Sequence, residues 1–150
     1  MGTGLYLEHS HPEWVRTSSV ERLTERLIYD LGGGEEKPEV LAGLIGEIGI
    51  SSRFTPDEEK SLRAAGRASA ATGVPLVLHG GTGVSDEDMR QAVTEGINKV
   101  NVGTEMNVQW VDRCKTTFEK GKVNDSVRKF LIPANNAVTH VLIEKIALFK

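Results

Sequence analysis

Short apolar runs alternate with longer stretches whose apolar residues recur every three or four positions, and this alternation repeats four times along the chain. Runs of a few residues bounded by glycine or proline read as strands, and the three-to-four spacing reads as amphipathic helix. TGLYLEH, residues 3–9, is the first expected strand. A helix follows in SVERLTERLIYDL, where Val20, Leu23, Leu27 and Leu31 form one stripe and Ser18 with Glu21 makes a capping box. GGGEEKPEV, residues 32–40, reads as a loop. The second strand is expected over 42–50. The next helix opens at Thr55, with Pro56 at its first position and Glu58 closing a box, and stops at Gly73. A third strand over 75–80 leads to a short helix capped by Ser85 and ending near Gly96. The fourth strand spans 97–103, and helices are expected over 104–120 and 125–149, broken at Gly121, with Pro133 at the start of the last.

Strands alternating with helices imply a parallel sheet covered by helices. Right-handed crossovers leave two arrangements. One is a (βα)4 half of a TIM barrel with a C-terminal extra helix, closing to a (βα)8-like barrel as a homodimer; the other is an open doubly wound sheet. Residues 1–150 are expected to form a single domain. In both arrangements function gathers at the C-terminal ends of the strands, where the pattern puts His9, Glu47, His79 and Gly103.

Composition narrows the partners. The chain is 39% apolar and 26% charged, with a formal net charge of −3. Nothing in that balance favours nucleic acid or an anionic membrane surface. Cys114 is the only cysteine, which rules out an intramolecular disulfide and a cysteine-cluster metal site. No apolar run approaches a bilayer span, and MGTGLYLEHSH lacks the basic and long apolar regions of a signal peptide. A cytoplasmic location is the expectation.

VLHGGTGVSDEDM carries the first chemical signal. An apolar run stops at His79, a glycine-rich turn of Gly80, Gly81, Thr82 and Gly83 follows, and a helix start comes next. Such a turn exposes backbone N–H groups, and a helix N-terminus adds positive potential. NVGT, residues 101–104, repeats the theme at the next strand end with Asn101, Gly103 and Thr104. Two glycine turns at successive strand ends predict an anion site for phosphate or a sugar phosphate.

Here two resemblances appear. ATGVPLVLHGGTGVSDEDMRQAVTEGINKVNVGTEMNV and VRKFLIPANNAVTHVLIEKIALF resemble the last strands and final helix of class II, zinc-dependent fructose- and tagatose-bisphosphate aldolases, from about residue 74 onward. That resemblance implies that His79 is a zinc ligand and that Gly80, Thr82, Asn101, Gly103 and Thr104 hold a substrate phosphate. TGLYLEHSHPEWVR and AGLIGEIGISSRFTPDEEKSLRAAGRASAATGVP, covering about residues 1–73, resemble the middle of the phosphotriesterase-related, amidohydrolase-type barrels. That one implies that Glu47 bridges two metals and that His79 is a metal ligand. The change of family near residues 70–79 reads as an engineered chimera of barrel fragments.

Alternation along the strands agrees with this chemistry. Ile45 and Glu47 are expected on one face and Leu44 and Ile48 on the other, with an inward set of Glu47, His79 and Asn101. Zinc takes three or four protein ligands, and Glu47 with His79 gives two. His9 and His11 either add donors or stand exposed before Pro12; exposure is the expectation, as it is for His140 on the final helix. Trp14 and Trp110 are expected to pack inside, and Cys114 has no evident base beside it. The expected function is binding of phosphate or a phosphorylated sugar, with a partial zinc site, no other cofactor and no efficient catalysis. The alternatives are a zinc-dependent class II ketose-bisphosphate aldolase and a metal-dependent phosphotriesterase-like hydrolase.

Overall fold

A computed structural model describes residues 1–33, 38–79, 84–121 and 126–150. They form two compact units, Met1–Asn101 and Val102–Lys150. The first holds β1 (Gly2–Thr3), α1 (Glu13–Thr17), α2 (Val20–Asp30), β2 (Leu44–Gly49), α3 (Pro56–Thr72), β3 (Leu76–His79), α4 (Asp86–Thr94) and β4 (Ile97–Asn101). The second is a helical hairpin of α5 (Thr104–Glu119) and α6 (Val127–Leu148). The sheet is parallel throughout, in the order β1-β2-β3-β4. Consecutive order with helical crossovers is that of a singly wound barrel segment; a doubly wound sheet reverses its strand order part-way.

The core lies between the sheet and α1 to α3. Leu23 and Leu27 of α2, Val15 of α1, and Ala64, Ala65 and Ala68 of α3 pack with Ile45, Ile48 and Leu76. Three fully buried alanines on one face bring α3 close to the strands. Thr55 and Glu58 form the expected capping box, and Gly73 ends the helix at φ +70°. Glu58 does more than cap. Only 1% exposed, it accepts from the Ser51 amide at 3.1 Å, the Ser51 hydroxyl at 2.9 Å and the Thr55 amide at 3.2 Å. The Glu8 amide approaches it at 3.4 Å. Burial alone would raise this carboxyl; these donors outweigh it and hold the group below the usual carboxylate range.

Several local expectations are corrected. β1 covers only Gly2–Thr3, and Glu8–Ser10 forms a 3-10 turn carrying His9. The cap of α2 is Ser19, which accepts from the Arg22 amide, in place of Ser18. Pro133 lies inside α6, which begins a turn and a half earlier at Val127. Trp14 is half exposed, and its neighbour Val15 takes the buried position. Trp110 is 36% exposed and donates its indole N–H to Asn135 at 3.2 Å. His140 is exposed, as expected, and faces Glu144 at 3.3 Å. Among the described residues no helix is long and apolar enough to cross a membrane.

Candidate functional site

The C-terminal ends of β2, β3 and β4 bring three polar side chains together. Asn101 donates its amide to Glu47 Oε1 at 2.6 Å. The other carboxylate oxygen, Oε2, lies 2.9 Å from His79 Nδ1. That approach is close but does not have the geometry of a hydrogen bond: Nδ1 is shut off from solvent and has no hydrogen-bond partner among the described residues. Both side chains remain partly open, His79 at 36% and Glu47 at 45% exposure. The Tyr6 ring packs against the imidazole with centroids 5.0 Å apart.

The backbone explains the convergence. His79 pairs with Asn101 across β3 and β4, so the two side chains share a face. Glu47 reaches that face by a different route from simple alternation. The β2–β3 register shifts between Ile45 and Ile48, and Gly46 sits at φ +144°. Ile45 and Ile48 therefore both enter the helix-side core, and the expectation that Ile45 and Glu47 share a face is corrected. Side chains at Gly46 and Gly49 would collide with the neighbouring chain: a Cβ would lie 2.8 Å from Val77 Cβ at Gly46 and 2.8 Å from the Leu7 amide nitrogen at Gly49. The two glycines of GEIG are thus what lets β2 nest between its neighbours with Glu47 turned outward.

His11 was expected to be exposed and is not: it is 5% exposed, with Nε2 2.7 Å from the Tyr6 carbonyl. A carbonyl only accepts, so Nε2 carries the proton, and Nδ1 is left without a hydrogen-bond partner among the described residues. It anchors the Tyr6 backbone, whose ring touches His79. His9 is exposed in its turn. Sequence periodicity missed both Tyr6 and His11, because they lie beyond the end of β1 in a turn that has no period.

The anion-site residues fall differently. Gly80, Gly81, Thr82 and Gly83 lie outside the described residues. The N-terminus of α4 already has its own negative charges: Ser85 Oγ accepts from the Asp88 amide, and Asp86, Glu87 and Asp88 fill the first turn. Gly103 is the N-cap of α5 and gives it no side-chain cap, and Thr104 is its first residue. Asn101 is already engaged by Glu47.

The sequence profile of class II fructose-bisphosphate aldolases matches residues 39–150. The chain belongs to the class II fructose-bisphosphate aldolase family. The aldolase match begins at residue 39, well upstream of residue 74, where the resemblance first becomes visible by motif. This aldolase-family chain is 31% identical over 111 residues to the 6-phospho-5-dehydro-2-deoxy-D-gluconate aldolase of Shouchella clausii, covering 74% of the chain and 37% of that protein. It is also 42% identical over 80 residues to a phosphotriesterase-related protein of Nematostella vectensis, covering 53% of the chain and 23% of that protein. In structure it resembles the phosphotriesterase homology protein from Escherichia coli, solved with phosphate in its active site. The TM-score is 0.62 at 27% identity, over 96% of the chain and 53% of that protein. The mixed resemblance read from the motifs is therefore present on both sides. The chain spans only about a quarter to a third of the length of these curated relatives.

Both families imply a divalent metal, and the donors available test the fit. Two ligands of a tetrahedral zinc, each about 2.0–2.1 Å from the ion, sit roughly 3.3 Å apart. Glu47 Oε2 and His79 Nδ1, at 2.9 Å, need only a small separation to reach that spacing. Among the described residues, however, no group of three or more metal-binding side chains exists. The described residues therefore bring together two donors of a shell that takes three or four protein ligands, and the fit is incomplete.

Proposed function

We propose that this chain binds inorganic phosphate or a phosphorylated sugar at the C-terminal ends of β3 and β4, as a binding module without efficient turnover. The observation that carries this reading is the extent of the aldolase match. It runs through both glycine motifs, HGGTG and NVGT, while among the described residues no more than two potential metal donors, Glu47 and His79, converge. Phosphate donors arrive on one contiguous stretch; a catalytic metal shell needs distant strands.

In this reading the anion is held by backbone N–H groups of Gly80, Gly81, Thr82 and Gly83, by Gly103 and Thr104 at the start of α5, and by Asn101. A primary amide has two N–H donors; one of Asn101 serves Glu47 and the second is left for the anion. Support comes from the relatives: one is named for a phosphorylated substrate and another was solved with phosphate in its active site. We further read the chain as an engineered join of two barrel fragments. The aldolase match over 39–150 and the 80-residue phosphotriesterase-related match support that reading.

Calorimetric titration of the chelator-treated protein with phosphate, and then with a ketose bisphosphate, tests the proposal. Binding of both is expected, and Gly81→Asp abolishes it by placing a carboxylate among the donors. Unchanged affinity in Gly81→Asp rejects the cradle. Cleavage of the bisphosphate by the zinc-loaded protein would favour the class II aldolase alternative, and hydrolysis of a phosphotriester would favour the hydrolase.

A further inference from the structure

We infer that the cleft between α5 and α6 binds a short peptide with free termini, its carboxylate held by Arg113 and its ammonium by Glu144. The cleft lies wholly within the second unit and has a volume of about 460 Å³, inside the range of small-ligand sites. The buried Val141 contributes to its apolar lining. The start of α5 lies against the end of α6, as the Glu105–Lys145 ion pair at 3.2 Å and the Trp110–Asn135 hydrogen bond at 3.2 Å require. That antiparallel register sorts the polar lining by charge. Arg113 stands at one end, Gln109 and Asn136 in the middle, and Glu105, His140 and Glu144 at the other. Glu105 and Arg113 lie a little over two turns apart on α5, which spaces the ends by about 12 Å.

The partners already taken decide which groups are open to a ligand. Lys145 neutralises Glu105 at 3.2 Å. Glu144 has one oxygen, Oε1, 3.3 Å from His140 Nε2, and its side chain is 60% exposed, so it is the carboxylate left to receive a cation. The side chains of Arg113, Gln109 and Asn136 have no hydrogen bond or ion pair among the described residues. This pattern has a definite complement. A guanidinium fork takes a carboxylate with two N–H donors. Each side-chain amide offers a donor and an acceptor, the pairing that a peptide group itself presents. Three extended residues span about 10 Å, which matches the cleft once its end groups reach inward. An inorganic anion would use Arg113 alone and face two carboxylates at the far end.

The test is calorimetric titration of the whole chain at low salt with trialanine, its C-terminal amide and its N-acetyl form. Trialanine is expected to bind at one per chain, and each blocked form to bind about tenfold or more weakly. Arg113→Gln removes the preference for the free acid over the amide and keeps the preference for a free amino terminus; Glu144→Gln does the reverse. Gly81→Asp binds trialanine like the parent, so the outcome is separate from that of the phosphate reading. No saturable heat with trialanine overturns the inference. So does a blocked form that binds as tightly as trialanine, or an Arg113→Gln chain that still prefers the acid.

Discussion

Replacing Glu58 by alanine is expected to cost more than any other surface-to-core carboxylate change in the first unit. Three donors at 2.9–3.2 Å converge on this buried side chain, and the fourth, at 3.4 Å, adds little. A hydrogen bond to a charged group contributes about 1.5–3 kcal/mol, and orphaned buried donors carry their own cost. The three share one carboxylate and are not additive, so the expected loss for Glu58→Ala is about 3–5 kcal/mol. In a chain of this size that lowers the thermal midpoint by roughly 10 °C. Glu58→Gln keeps the shape and one acceptor, and loses about half as much. The pH dependence gives the sharper test. The folded carboxyl lies below its ordinary value, so its contribution is complete above the unfolded pKa and is lost as pH falls through the folded one. The gap between parent and Glu58→Gln midpoints is therefore constant above about pH 5 and shrinks below about pH 4. Calorimetric unfolding of both proteins from pH 3 to 7 measures it. A gap that stays constant to pH 3, or a Glu58→Ala loss under about 1 kcal/mol, refutes the reasoning.

Other substitutions probe the packing that positions the site. Gly46→Ala puts a Cβ 2.8 Å from Val77 Cβ at φ +144°, and is expected to destabilise by about 2–4 kcal/mol in urea unfolding. Ala68→Leu, at a fully buried contact of α3 with the sheet, is expected to cost about 1–3 kcal/mol by overpacking, read from the same curves. His11→Leu removes the donor to the Tyr6 carbonyl and is expected to cost about 1 kcal/mol; His11→Gln, which keeps an N–H, recovers part of it.

Local signals in the sequence were reliable where the chemistry is local. The caps at Thr55 and Ser85 and the stop at Gly73 depend on a few adjacent residues, and each stands where the pattern puts it. The parallel sheet follows from the alternation; its consecutive strand order, which separates the half-barrel from the doubly wound arrangement, does not. The failures are tertiary. TGLYLEH looks like a strand, yet strand pairing with β2 holds only its first residue, Thr3. Period-two reasoning put Glu47 on the correct face but misplaced Ile45, because Gly46 breaks the alternation between them. His11 reads as a loop residue, and its burial depends on how the following helix folds back, which no short motif encodes. That Asn101 shares a strand face with His79 was legible; its attachment to Glu47, 54 positions earlier, was not.

The most direct test of the central claim is an amide NMR titration of the chelator-treated, nitrogen-15-labelled chain with inorganic phosphate. The account predicts saturable shifts concentrated at Gly80, Gly81, Thr82, Gly83, Gly103 and Thr104, with the Asn101 side-chain amide moving alongside them. Shifts confined to other parts of the chain, or no saturable shift at those glycine turns, would contradict it.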